Sequence, residues 1–536
     1  MSTETIKSYK QFKPEGAFDA IIIGSGMSGL TCAAILAREG KRPLVLEQHY
    51  TAGGYTHVFK RNGYEWDVGI HYIGGINEPD SFLSRLFNYL TDSQLKWEDM
   101  GDVYDRIYFG EDSYELRKGP KNLIAGLKSY FPEDAGAIDA YFDLVRQASK
   151  ASQTYFAEKA LPPVMAKVAG KRMRRDFLRF AEQTTLSVLE ELTSNRKLIG
   201  VLTAQYGDYG LPPGESSFAM HAMLVNHYLR GAGFPVGGSE RIAETVAATL
   251  GPAGGLVLTN ADVAEIILDG KKATGVRLAD GHEFHAPLII SSAGVFNTYH
   301  RLLPDSEAER FKLPEKLEGV KPSAAHFGLY VGFRQNAAEL GLRKANYWVY
   351  PEDGYDHDQN IARYLEDPAG EFPLVFISFP SAKDPEWENR YPNRATVEVI
   401  TLAPYEWVAE WEETRWKRRG EAYEAFKEDI SQRLLQVLYR HEPQLEGKVD
   451  HYELSTPLST RHFANYPAGE IYGLNHDPDR FAQDFLRPHT PIKNLFLTGQ
   501  DVTTAGVAGA LLSGVLTMSA IDKKDYLTHM LKASPK

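Results

Sequence analysis

Gly24, Gly26 and Gly29 stand at G-x-G-x-x-G spacing, directly after the apolar run 20–23 and ahead of a small-residue stretch, 31–37, that Gly40 closes. A second apolar run, 44–46, ends on an acid, Glu47. The pattern reads as strand, glycine turn, helix, strand and acid, and each part has a task in holding a dinucleotide. Gly24 permits the tight turn, Gly26 lets a pyrophosphate come close to the backbone, and Gly29 lets the helix pack on the strand. The helix N-terminus offers unpaired N–H groups and a partial positive charge to phosphate. Glu47 accepts hydrogen bonds from a ribose diol. A glycine turn in an ordinary strand–helix unit would leave Glu47 without a task.

Other chemistries are not signalled. The chain has no Ser/His/Asp signature and no HExxH motif, and its scattered histidines make no metal site, so no metal is expected. The single cysteine, Cys32, rules out an intramolecular disulfide framework and a cysteine-rich metal site, and reads as a packing residue of the first helix. A net charge of −12 argues against nucleic acid as a partner. Gly231 and Gly233 lack a third glycine and a preceding buried strand, so no second dinucleotide motif is found. Electrons must therefore come from, or go to, an external partner.

At 536 residues, 43% of them apolar, the chain is long enough for two or more domains and a large core. The segment 1–16 is polar and lacks the apolar core of a signal peptide. The apolar run 505–521 is short, rich in Gly and Ala, and carries Ser513, Thr517 and Ser519, so it reads as a buried helix rather than a span. A cytoplasmic protein is expected. From 80 to 229 the pattern is largely helical, with amphipathic stretches at 81–90, 136–151 and 185–200. A strand follows at 257–259, then a hairpin over 261–268 and 273–278 and a buried strand at 286–291. The stretch 295–488 mixes aromatic-rich strands with a charged helical segment, 410–438. A strand at 494–501 leads to a last helix near Gly506. The expected organisation is a discontinuous nucleotide domain of 17–79, 235–300 and 489–530. A substrate-binding domain is expected from the insertions 80–234 and 301–488.

The motifs Gly24-x-Gly26-x-x-Gly29, Glu47, 53–59 (GGYTHVF), 63–69 (GYEWDVG), 234–238 (FPVGG), 260–263 (NADV), 291–294 (SSAG), 467–474 (PAGEIYGL), 497–502 (LTGQDV) and 506–510 (GVAGA) span almost the whole chain. Together they resemble the flavin-dependent amine-oxidase-like superfamily, and within it the phytoene desaturase, carotenoid isomerase and retinol saturase branch. The resemblance implies an α/β fold: a discontinuous, Rossmann-type, glutathione-reductase-like FAD-binding domain with an α+β substrate domain. It implies that Gly24, Gly26, Ser28, Gly29, Gly53 and Gly54 cradle the FAD pyrophosphate. Glu47 would hold the adenosine ribose and Val263 the adenine, through backbone groups. Ala293, Gly294 and Gly499 would join the cofactor contacts, and Asp501 would meet the ribityl or phosphate end. Gly506, Val507 and Ala508 would set a helix N-terminus at the flavin pyrimidine edge, where its dipole offsets negative charge.

The same motifs place His71 and Tyr72 beside the ring, with Gln205, Tyr206, His227 and Tyr228 as a second set from the helical insertion. A Tyr or His there would protonate a carbanion-like intermediate. The competing readings are a structural loop for the first pair and cap packing for the second set. Lys167, Lys171, Arg172, Arg174, Arg175 and Arg179 alternate with Met173, Phe177, Leu178 and Phe180 beyond the run 161–165. Basic and apolar residues on one helix over 161–180 have the composition of an interfacial membrane helix, although a solvated amphipathic face would read the same way. The function implied is saturation, desaturation or cis/trans isomerisation of a long apolar polyene through hydride transfer at flavin N5. The same chemistry on an unsaturated fatty acid would need a cation such as Arg230 or Arg461 for its carboxylate. Amine oxidation, and lipid or flavin binding without turnover, are the alternatives from other classes.

Overall fold

Apolar runs without polar alternation form the centre of a parallel sheet, because helices cover both faces and leave no wet side. In the computed structural model, which describes residues 5–533, Ala20–Ile23, Pro43–Leu46 and Ile289–Ser291 are buried along their whole length. They belong to a six-stranded parallel sheet ordered Ile6–Ser8, Leu256–Thr259, Pro43–Leu46, Ala20–Ile23, Ile289–Ser291, Leu495–Leu497. The edge strand Ile6–Ser8 lies ahead of residue 17, where the nucleotide segment was expected to begin. Three residues of mixed polarity carry no readable period, and only their pairing with Val257, Leu258 and Thr259 makes them a strand.

The first helix, Met27–Arg38, starts directly at the glycine turn, with Gly26 as its N-cap. Its close approach to the strand below needs Gly29: a Cβ there would lie 2.3 Å from the Gly24 carbonyl oxygen. On its other side it packs against the last long helix, Gly506–Asp522. Cys32 sits in that contact, its thiol 3.5 Å from the Gly514 carbonyl, and burial pushes the thiol up to about 12. It is a packing residue.

Several expectations about the insertions change. Phe82–Thr91 buries Leu83, Leu86, Phe87 and Leu90 in the same core as the first helix, so it packs with the nucleotide half although it lies beyond residue 80. Leu313 and Leu317 likewise join the nucleotide-side core from beyond residue 301. An amphipathic stripe declares that a face is buried but not against what. The region 80–229 is also less helical than its pattern suggests, since Val103–Phe109 and Asp112–Arg117 pair as a hairpin. The stretch 185–200 breaks into Thr185–Leu192 and Arg196–Thr203, because Asn195 caps a new start by accepting from the N–H groups of Lys197 and Leu198. The charged segment 410–438 becomes helix only at Glu421–His441, after Gly420.

The hairpin joins a seven-stranded sheet ordered Val449–Ser455, Ala325–Phe333, Ala395–Ala403, Val375–Ser378, Asn346–Tyr350, Val103–Phe109, Asp112–Arg117. Its register sets direct neighbours across strands: Asp105 beside Asn346, Trp348 beside Phe376, and Glu398 between Ser378 and Tyr330. Alternate residues such as Tyr347, Val349, Ile377, Val397 and Val399 bury against Ile430, Leu434 and Leu438 of the helix Glu421–His441. One face of the sheet is therefore apolar core, and the other is polar and aromatic. Among the described residues no helix is long and apolar enough to cross a membrane.

Replacing Gly29 by Ala should force the first helix off its strand. The expected result is a loss of about 1–3 kcal/mol, typical of overpacking, read as a lower denaturant midpoint and as weaker retention of any ligand at the helix N-terminus.

Candidate active site

A single cavity of about 1180 Å³ is lined from both sheets. Its nucleotide side is built by three turns. Ser25 ties them together: its N–H and hydroxyl both donate to Glu47 Oε2, at 2.9 and 2.7 Å, and its oxygen accepts from the Gly53 N–H at 3.0 Å. The other Glu47 oxygen accepts from the His49 N–H at 2.8 Å. Gly54 adopts φ +57°, and a Cβ on it would lie 3.0 Å from the Gly26 Cα, so the two glycine loops touch backbone to backbone. Ser28 and Ser292 share a hydroxyl hydrogen bond of 2.7 Å at the same wall. Nothing in the sequence singles out Ser25, although it lies inside the glycine motif.

Two helix N-termini open on this cavity without side-chain caps, one at Gly26 and one at Ala505. Their first N–H groups are left for a ligand. With the Glu47 carboxylate on the same wall, the donor set fits a dinucleotide: N–H groups for phosphate and an acid for a ribose diol. Gly24, Gly26, Ser28, Glu47, Gly53, Gly54, Val263, Ala293, Gly499, Gly506, Val507 and Ala508 all line the cavity. Arg301 lines it too, donating to the Val263 carbonyl at 3.1 Å.

Gly29, Gly294 and Asp501 do not line it, and these expectations are corrected. Gly29 is spent on the helix–strand approach. A Cβ at Gly294 would face Asp501 at 3.1 Å. The Asp501 carboxylate is buried and turned to the backbone, accepting from Val295 N–H at 2.8 Å and Leu474 N–H at 3.2 Å. It ties two loops together instead of meeting a ligand, since an acid surrounded by loop N–H groups satisfies them first.

On the substrate side, His71 and Tyr72 both line the cavity. His71 Nδ1 lies 2.8 Å from Glu398 Oε2. Burial pushes His71 down to about 3, and the charge on Lys383 adds to this, so the ring is neutral. Lys383 donates to the His71 carbonyl at 2.8 Å, to Ser378 Oγ at 2.7 Å and to Asn346 Oδ1. Burial raises Glu398 to about 8 against the pull of Lys383, and raises Asp67 to about 7 with help from Glu398. These acids share protons with their surroundings instead of standing as full charges.

The Tyr72 hydroxyl lies 2.9 Å from Asp105 Oδ2 and 3.2 Å from Asp208 Oδ2, and its ring stacks on Tyr228 at 4.6 Å. Asp105 also accepts from Asn346 Nδ2 at 2.9 Å, Gln205 Nε2 at 2.8 Å and Trp348 Nε1 at 3.1 Å. Gln205 thus serves Asp105 and does not reach the cavity. His227 lines the cavity, but its Nε2 accepts from the Gly74 N–H at 2.9 Å and burial pushes it down to about 4. A neutral ring held as an acceptor orients a loop and is no proton donor through that nitrogen.

Tyr206 is a correction: it is fully buried beside His357 and Tyr350 and leaves the cavity wall to Asp208. The 3₁₀ turn Tyr206–Asp208 advances about 120° per residue, so the two side chains leave on different sides. Asp105, Asp208, Asn346, Lys383 and Glu398 were all missed by the sequence reading. Asp208 alone had a local signal, as an acid two residues from Tyr206.

Arg230 and Arg461, the cations named for a carboxylate, pair with Glu78 and Glu412, each at 2.6 Å, and neither lines the cavity. In the helix Pro163–Ala181, Phe177 and Phe180 turn inward, while Val164, Met165 and Val168 are the apolar residues left outside, 76, 55 and 85% exposed.

A Rossmann-like domain and an α+β domain closing on one cavity define a dinucleotide-dependent oxidoreductase. The chain belongs to the flavin containing amine oxidoreductase family, whose model matches residues 27–521. It is 39% identical over 531 residues to all-trans-retinol 13,14-reductase of Homo sapiens, covering 96% of this chain and 87% of that protein. It is 26% identical over 529 residues to chloroplastic prolycopene isomerase of Arabidopsis thaliana, covering 96% and 84%. Cyclohexylamine oxidase from Brevibacterium oxydans IH-35A shares the fold, with a TM-score of 0.59 at 16% identity over 96% of this chain and 99% of that one. Within the family the chain therefore stands with the retinol reductases, and at greater distance with the prolycopene isomerases. It is an FAD-dependent oxidoreductase.

Replacing Glu47 by Ala removes the ribose acceptor and the partner of Ser25. Hydrogen bonds to a charged group contribute about 1.5–3 kcal/mol, so FAD affinity should fall by about 10- to 100-fold. The flavin-to-protein absorbance ratio after dialysis measures it.

Proposed function

We propose that this protein saturates a carbon–carbon double bond of a long apolar polyene of the retinoid or carotenoid kind. The observation that carries the reading is the shared cavity. The wall that holds the glycine turns and Glu47 continues into Met220, Met223, Leu224, Trp348, Leu374 and Phe376. Such a lining suits an extended apolar molecule whose only handle is its conjugated bond. The likeness to a retinol reductase over nearly the whole chain supports saturation over desaturation or isomerisation.

In this reading the nucleotide domain is of the glutathione-reductase-like kind, formed by 17–79, 235–300 and 489–530 with Ile6–Ser8, Phe82–Thr91 and Leu313–Leu317 packed onto it, and the substrate domain by the remainder of 80–234 and 301–488. Gly24, Gly26, Ser28, Gly53 and Gly54 hold the pyrophosphate, Glu47 the ribose, and Val263 the adenine. Ala293 and Gly499 close the wall. Gly506, Val507 and Ala508 turn a helix N-terminus toward the flavin, which supplies the hydride. His71 and Tyr72 shape the substrate side, and the aromatic and methionine lining excludes water. Electrons reach the site from an external donor.

The substrate enters from a membrane in this reading, with the protein a peripheral visitor from the cytoplasm. Gln153, Phe156 and Ala157, on the helix that packs against Pro163–Ala181, line the cavity. The outer face of Pro163–Ala181 pairs Val164, Met165 and Val168 with Lys167, Lys171 and Arg172, a composition that suits an anionic bilayer.

Two measurements follow. Chemically reduced holoenzyme mixed anaerobically with all-trans-retinol, carotenoids and unsaturated fatty acids should yield a polyene product heavier by two hydrogens. Loss of two hydrogens in a parallel incubation with oxidised holoenzyme would instead mark a desaturase, and an unchanged mass with altered geometry an isomerase. Flotation with anionic liposomes should lift the wild type and leave V168D/K171E behind, and equal flotation would remove the docking role.

A further inference from the structure

We propose that Asp208 is a neutral carboxylic acid that delivers the proton in double-bond saturation, with Tyr72 and Asp105 as its positioning residues. The proposal rests on the saturation reading and adds to it the identity of the proton donor.

Tyr72 has one O–H and two carboxylates within reach, Asp105 at 2.9 Å and Asp208 at 3.2 Å. Asp105 already receives three fixed N–H groups, from Asn346, Gln205 and Trp348. Donors that cannot reorient stabilise the charged form of the acid they serve, so negative charge settles on Asp105 and draws the Tyr72 proton to itself. The Tyr72 oxygen is then left to accept, from Gln205 Nε2 at 3.4 Å and from the O–H of Asp208, 3.2 Å away. Two carboxylates that share one hydroxyl in a dry site do not both ionise. The remaining titratable groups near Asp208 are phenols: Tyr228, stacked on Tyr72 and turned with its hydroxyl to Asp208, which works against the rise; Tyr472, which donates to the Gly207 carbonyl at 2.9 Å; and Tyr209 and Tyr350. Burial raises all four, so they stay neutral. Burial and the charge of Asp105 also raise Asp208, to about 8.

Position decides between the two acids. Asp208 lines the cavity with Met220, Met223, Trp348 and Phe376, whereas Asp105 stands behind it, outside the lining. The acid that keeps its proton is thus the one that meets the substrate.

The step balances. Saturation adds a hydride, with both electrons, to one carbon of the double bond and a proton to the other. The hydride is the equivalent that reduced flavin supplies, and the flavin is oxidised. At the second carbon a C–H bond forms as the Asp208 O–H bond breaks. Asp208 is left as a carboxylate until water reprotonates it after product leaves.

D208N keeps the size of the side chain and removes the acid, and D208E restores it. In holoenzyme without substrate, the wild-type minus D208N infrared difference should contain the C=O stretch of a protonated carboxyl at neutral pH, and that difference band should fade as pH rises through about 8. With reduced holoenzyme and all-trans-retinol in D₂O, wild type should place deuterium on both carbons of the reduced bond, since the hydrogen on reduced flavin also comes from solvent, and its rate should fall above the same pH because the donor has lost its proton. D208N should lose about 10²- to 10⁴-fold in rate, the usual worth of general acid catalysis, with unchanged flavin content and retinol affinity. D208E should recover part of the rate. A wild-type minus D208N difference without that band, a D208N rate equal to wild type, or a rise in KM with kcat unchanged would each overturn the proposal and leave saturation standing. A wild type that reduces no polyene would overturn both.

Discussion

The nucleotide half depends on one close approach. At Gly29 the first helix comes so near the Gly24 carbonyl that no side chain fits between them. This approach aims the helix N-terminus into the cavity, lets the Gly53–Gly54 loop touch Gly26, and leaves the opposite helix face free for Gly506–Asp522. A helix set one methyl group further out would lose these three contacts together, because packed interiors relax only slightly. The glycine motif is therefore as much a packing instruction as a phosphate site.

The substrate half is governed by a different constraint, the cost of burying ionisable groups. Asp67, Asp105, Asp208 and Glu398 accompany Lys383 on or beside one face of the seven-stranded sheet. Isolated charges there would be costly, and the structure answers with shared protons and fixed amide donors. Asn346 shows the device most plainly: its oxygen accepts from Lys383 while its nitrogen donates to Asp105. The result is a rigid polar wall behind an apolar cavity, in which burial raises each acid and neighbouring charges and donors decide how far.

The sequence made the first of these halves legible and hid most of the second. Strand, glycine turn, helix and Glu47 lie within thirty residues of each other, and local spacing carries their meaning. The polar wall draws on strands hundreds of residues apart, and a register between distant strands leaves no trace in a single sequence. Asp501 was recognised as an important acid, but only the fold reveals that it serves backbone N–H groups. Tyr206 and Asp208 were separated by the handedness of one 3₁₀ turn. Ile6–Ser8 has no pattern of its own and becomes a strand only because Val257–Thr259 offers it an edge.

The strand order has a consequence for biosynthesis. Ala20–Ile23 finds Pro43–Leu46 almost at once, but its other neighbour is Ile289–Ser291, and Leu495–Leu497 completes that side. At ribosomal speeds of about 5–20 residues per second, the open edges of the first strands wait on the order of tens of seconds for their partners. During that interval a nascent chain carries two fully apolar strands with unpaired backbone groups, the form most prone to wrong pairing. Producing this protein in quantity thus becomes a matter of translation tempo and chaperone supply, and slower growth or holdase co-expression should matter more to yield than any change to the finished surface.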